Sequence, residues 1–169
     1  MQKILIVVDM QVDFVNGSLG TAEAQTIVPA AVEKVRGHEG PVIFTRDTHG
    51  PDYLDTQEGK KLPVKHCVEG TGGWQIIPEL RQYAVDVVNK GTFGSTALAE
   101  RLRAQADGIE SIEVIGLCTD ICVVSNALLL KAAMPEVPIR VDSRCCAGVT
   151  PEKHLAALET MRSCQIDVI

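Results

Sequence analysis

Aromatic residues are scarce in this sequence: three Phe, two Tyr and one Trp, 4% of the chain. A core built from it must therefore rely on Val, Ile, Leu and Ala. No apolar stretch approaches the ~20 residues that a membrane-spanning helix needs. The first such run, Ile4 to Val8, is also too short for the apolar region of a signal peptide and lacks a small-residue cleavage site. The chain is therefore expected to act in the cytoplasm, away from any membrane. Basic residues neither dominate nor cluster, and the formal charge of −6 argues against a nucleic-acid surface. Internal repeats, low-complexity tracts and domain linkers are missing too.

There is no C-x-x-C pair either. The six cysteines (67, 118, 122, 145, 146 and 164) sit in a chain without an export signal and read as thiols, not as a disulfide framework. Three of them read as core filler: Cys164 in a helical pattern, and Cys145 and Cys146 beside a strand end.

What is present is a sequence that can fold. At 169 residues and 46% hydrophobic it can bury a full core in a single domain, 1–169. Buried-strand patterns run over 3–10, 41–47, 84–90, 111–117, 139–143 and 165–169. Helical patterns fall between them, at about 27–37, 75–82, 95–105, 120–133 and 151–163. The last opens with Thr150 as N-cap, then Pro151 and Glu152 in the first turn. This alternation predicts an α/β fold of three layers (α/β/α), Rossmann-like, with a mostly parallel sheet of about six strands and helices on both faces. Residues 47–74 break the rhythm with Gly, Pro, His and acids, and a loop that long is usually functional.

Candidate functional residues fall at strand ends, where open α/β sheets bind ligands. Asp9 closes the first strand, Asp47 the second and Lys90 the third, while Cys118 and Cys122 follow the fourth. With the doubly wound order 3-2-1-4-5, Asp9 would face the cysteines. Asp9 interrupts an apolar run, where a buried carboxylate is costly unless paired. It also reads as an ordinary strand-end cap, and Lys90 as an ordinary solvated lysine. Thr119 looks like a helix N-cap, which would place Cys122 in the first turn. There the helix dipole, and a nearby lysine, would push the thiol towards thiolate. A buried cysteine packing as a small hydrophobe is the alternative. Asp47, His49 and His66, with Glu58 and Asp55 between them, form a plausible divalent-metal set, or simply a polar loop with surface histidines. His38 and His154 read as surface residues.

Five motifs in order, VDMQVDF (8–14), TRDTH (45–49), KLPVKHCVEGT (61–71), KGTFGST (90–96) and GLCTDICV (116–123), give a resemblance that runs nearly end to end. The chain resembles the isochorismatase-like cysteine hydrolases and, within them, the nicotinamidases. The resemblance implies a catalytic triad of Asp9, Lys90 and Cys122. It implies a cis peptide at Leu117–Cys118, an oxyanion hole from the N–H groups of Cys118 and Cys122, and Phe14 packing on the substrate ring. It also implies a divalent cation on Asp47, His49 and His66, with Glu58 as fourth ligand and Asp55 as fallback. Zinc is foremost, and manganese or iron(II) suit the same donors. The implied reaction is hydrolysis of nicotinamide to nicotinate and ammonia, as part of NAD salvage, by a protein that forms homo-oligomers. Related small amides (maleamate, carbamoyl or ureido compounds) stand as alternative substrates. Isochorismate cleavage would not need Cys122. A thiol redox or metal-binding protein using Cys118 and Cys122 is the reading from another class.

Overall fold

In the computed structural model, which describes Met1–Ile169, the first apolar run forms strand β1 (Gln2–Val8). The remaining elements are α1 (Val12–Val15), α2 (Ala22–Gly37), β2 (Val42–Asp47), α3 (Gln57–Lys61), α4 (Pro78–Arg81), β3 (Asp86–Lys90), α5 (Thr96–Arg103), β4 (Ile109–Leu117), α6 (Val124–Ala133), β5 (Ile139–Ala147), α7 (Pro151–Ser163) and β6 (Asp167–Val168). All six strands join one sheet in the order β3-β2-β1-β4-β5-β6, and every neighbouring pair is parallel. The expected order places β1 beside β4, where the direction of winding reverses.

The period of two along β1 explains the layering. Ile4, Ile6 and Val8 point to one face and pack with Leu98, Leu102, Ala127, Leu130 and Leu158 from α5, α6 and α7. Leu5 and Val7 point to the other and pack with Ile27, Ala31 and Val35 of α2 and Leu80 of α4. With helices on both faces, β1 is buried on both sides and can be uniformly aliphatic from Ile4 to Val8. No helix is long and apolar enough to cross a membrane.

Several elements differ from the sequence expectation. Helix α2 starts at Ala22, not near residue 27, because Thr21 caps it by accepting from the Ala24 N–H at 3.0 Å. Pro29 lies inside that helix and did not stop it. Strand β5 runs on to Ala147, so Cys145 and Cys146 are strand residues, buried in the two opposite cores. Cys164 is a correction: it follows the last residue of α7 and is exposed, so it fills no core. Thr150 does cap α7, accepting from the Lys153 N–H.

The 47–74 segment carries structure of its own. Tyr53 is fully buried and its hydroxyl donates to the Leu62 carbonyl at 2.9 Å, closing a compact loop around α3. Gly59 is required there, since a Cβ would lie 2.0 Å from the Tyr53 carbonyl oxygen. This packing aims Glu58 inward.

Candidate active site

Parallel strands that end at one edge bring their terminal side chains together. Asp9, just beyond β1, is fully buried with a φ of +46°, a conformation Asp tolerates better than most residues. Thr45 of β2 donates through its hydroxyl to Asp9 Oδ1 at 2.7 Å. Lys90, at the end of β3, reaches past β2 to put its Nζ 2.6 Å from Asp9 Oδ2. The same ammonium lies 3.3 Å from Asp47 Oδ1, 3.6 Å from Cys122 Sγ and 3.0 Å from the Thr92 carbonyl. One lysine thus serves two carboxylates and a thiol.

Cys122 lies in a π-type turn, Thr119–Val123, that follows β4 and leads into α6. Gly116 lets β4 approach β1 before that turn: its φ is +118°, and a Cβ would fall 2.1 Å from the Val8 carbonyl oxygen. The Leu117–Cys118 peptide is cis, as the resemblance implies. Thr119 is not the helix cap. Cys118 occupies that position without a side-chain bond, and the buried Thr119 hydroxyl is 2.7 Å from His154 Nδ1. His154 is accordingly partly buried against this turn and not a free surface residue.

The ionisation of the site also differs from expectation. Burial and the neighbouring Asp9 raise the Cys122 thiol well above its ordinary range, and Lys90 only partly opposes them. The expected push towards thiolate fails because the turn is desolvated and two carboxylates share the lysine. Burial raises Asp9 as well, with Lys90 opposing and Asp47 adding to the rise. Burial works against the charge on Lys90, but Asp9, Cys122 and Asp47 outweigh it and hold the group protonated. At rest the thiol is therefore held protonated beside the Lys90 ammonium, with Asp9 biased towards taking up a proton.

The second cluster is Asp47, His49, Glu58 and His66, whose ligand atoms all lie within 4.8 Å of one another. His49 Nε2 is 2.8 Å from Asp47 Oδ2 and 3.6 Å from Glu58 Oε1. His66 Nε2 is 3.5 Å from that Asp47 oxygen and 3.7 Å from Glu58 Oε1. His66 Nδ1 is 2.8 Å from the Val64 carbonyl, a bond that fixes the proton there and leaves the Nε2 lone pair facing the cluster. Two imidazoles and two carboxylates converging in this way fit a divalent metal ion. Burial disfavours charge on His66, yet Asp47 and the Val64 carbonyl raise its pKa overall. Asp55 is exposed and outside the cluster, so Glu58 and not Asp55 completes it.

Asp47 joins the two clusters, giving one oxygen to Lys90 and the other to the histidines. A cavity of about 280 Å³ opens onto both: Cys122 and Cys118 line it with Glu58 and His66, and Phe14 and Phe93 add aromatic surface. The Phe14 and His66 ring centroids are 5.5 Å apart.

Other buried residues hold this arrangement, and the sequence reading did not single them out. Gln11 accepts from the Asp47 N–H at 2.7 Å and donates to the Asp47 and Trp74 carbonyls at 2.8 and 2.9 Å. A glutamine between Met10 and Val12, two residues past Asp9, was its only signal. Asn126 binds the Cys122 carbonyl, and its signal was a polar residue four positions beyond Cys122, on the same helical face.

A doubly wound sheet with a thiol, an acid and a lysine at its switch point defines a cysteine-hydrolase type of site. The isochorismatase domain matches residues 3–169, and the chain belongs to that family. It is 30% identical to the nicotinamidase/pyrazinamidase of Mycobacterium tuberculosis over 99% of this chain and 98% of that one. The structure of a Pyrococcus horikoshii pyrazinamidase in complex with zinc superposes with a TM-score of 0.85 at 27% identity, covering 100% of this chain and 99% of that one. A nicotinamidase/pyrazinamidase from Bacillus subtilis gives the same score and identity over 99% of both chains.

Proposed function

We propose that this chain is a nicotinamidase, a single hydrolase domain over residues 1–169 that converts nicotinamide to nicotinate and ammonia. The observation that carries the reading is one cavity lined at once by Cys122, by Asp47, Glu58 and His66, and by Phe14 and Phe93. It offers aromatic walls for a flat ring, donors for a cation, and a nucleophile for the carboxamide.

Asp9 takes the thiol proton, since its Oδ2 has no hydrogen-bond partner beyond the Lys90 ion pair. The sulfur attacks the amide carbon, and the backbone N–H groups of Cys118 and Cys122 hold the oxyanion. Asp9 returns the proton to the departing ammonia and leaves a thioester on Cys122. Asp9 then deprotonates a water that hydrolyses the thioester, releasing nicotinate and restoring the thiol. Lys90 keeps Asp9 anionic in a desolvated site and offsets the charge that develops on sulfur. Asp47, His49, Glu58 and His66 would hold a divalent cation, zinc foremost, which when bound supplies a Lewis-acid contact for the pyridine nitrogen. Phe14 packs on the ring. Action in the cytoplasm and assembly into homo-oligomers belong to the same proposal.

Lys153 favours a second reading. This exposed cation lines the same cavity and would suit a carboxylated amide such as maleamate. Ammonia release separates the two: nicotinamide turnover that is lost on chelation and restored by zinc or manganese supports the proposal. Turnover of maleamate alone would overturn it.

A further inference from the structure

We infer that Asn126 is a positioning residue that holds the nucleophile Cys122 and the Phe93 wall of the pocket in one geometry; the reading rests on the cysteine mechanism proposed above. Asn126 is 1% exposed, near the start of α6. Its Nδ2 donates to the Cys122 carbonyl at 2.8 Å and to the Phe93 carbonyl at 3.1 Å, while its Oδ1 accepts from the Ser95 N–H at 3.0 Å. The side-chain amide therefore spends both donor hydrogens and its acceptor on three backbone groups.

These partners belong to the two segments that must agree for catalysis. One is the turn that carries the thiol. The other is the stretch after Lys90, which ends in Ser95, the N-cap of α5, and turns Phe93 towards the cavity. Lys90 fastens that stretch at its near end through the Thr92 carbonyl, and Asn126 fastens its far end. A carboxylate or an aliphatic side chain at 126 would take the side-chain donor away from both the Cys122 and the Phe93 carbonyl. Threonine differs from both: its hydroxyl can donate to the carbonyl four residues back, so it keeps the Cys122 bond and gives up the Phe93 side.

The test uses Asn126→Ala and Asn126→Thr in the full-length protein. Two readouts are taken at a temperature where far-UV circular dichroism shows each variant folded. The first is iodoacetamide alkylation of Cys122, assigned by fragment mass spectrometry, which needs no substrate. The second is kcat and KM for nicotinamide. Asn126→Ala is expected to lower both the alkylation rate and kcat, on the order of 10- to 100-fold, since small displacements of a reacting group are costly. Asn126→Thr is expected to recover alkylation and kcat and keep a raised KM. Wild-type alkylation and kinetics in folded Asn126→Ala would overturn the inference. Should Asn126→Ala not fold, Asn126→Thr decides, and a wild-type KM in it overturns the inference. No turnover of nicotinamide by the wild type would sink the substrate assignment alone, since the alkylation ratios would still report on Asn126.

Discussion

Two aspartates with no side-chain exposure, Asp142 within the sheet and Asp9 just past the end of β1, have pKa values shifted in opposite directions. Asp142, in β5, takes Lys34 at 2.8 Å and a forked Arg144, with bonds at 3.1 and 2.9 Å. Burial would raise its pKa, but the hydrogen bonds from Arg144 and Lys34 reverse the effect and hold it below the ordinary range. Asp9 has one cation, which it shares with Asp47 and Cys122, and its pKa is raised. Both cations on Asp142 are partly solvated, whereas Lys90 is buried with its partner. An acid with a surplus of cationic donors is a structural anchor. An acid short of them, beside a cavity, can take a proton and return it.

That contrast sets the order of the predictions. Cys122→Ala is expected to cut turnover by at least about 10⁴-fold with the fold intact, as loss of a nucleophile does. Ammonia release together with circular dichroism checks it. Asp9→Asn is expected to cost on the order of 10⁴-fold in kcat by analogy with triad carboxamide variants, while calorimetry finds Tm unchanged or higher. The sign follows from the raised pKa: a charged Asp9 costs stability above that pKa, and the variant removes the cost. A large drop in Tm would erase the distinction between the two acids.

Asp142→Asn should behave in the opposite way. It is expected to lose on the order of 1.5–3 kcal/mol in denaturant unfolding, because a fully buried carboxylate loses its charge-assisted hydrogen bonds, and to keep its kcat at temperatures where it is folded. The pH dependence sharpens this: Asp142 has a depressed pKa, so its contribution is present above the unfolded value of about 3.9 and disappears as pH falls through the lower folded value. Wild type and variant should therefore converge in acid. The smallest effect on the thiol site is expected from Glu58→Gln: zinc retention weaker by at least about 10- to 100-fold in a competition titration, the loss that even outer-shell changes cause, with Cys122 alkylation unaltered.

Much of this was readable from residues alone. The continuous aliphatic run of β1 fits a strand covered on both faces, and the alternation of strand and helix patterns along the chain supplied the rest of the layered sheet. Thr150-Pro151 marked the start of α7 because capping is local chemistry. Asp9, Lys90 and Cys122 stood out as polar residues at strand ends, and ordered motifs joined them. The start of α2 was missed because a proline inside a helix normally argues for a boundary. Cys164 was misjudged because periodicity does not say which turn of a helix the core covers.

The sequence by itself determined the fold class, the strand ends and the chemical types gathered there, since backbone period and residue chemistry act over short range. Tertiary structure decided what those residues became. It made Glu58, not Asp55, the fourth member of the donor cluster, because Tyr53 and Gly59 fold the loop inward. It also raised the Cys122 thiol where local position predicted the reverse, since desolvation and shared charge depend on everything packed around a group and not on its neighbours in the chain.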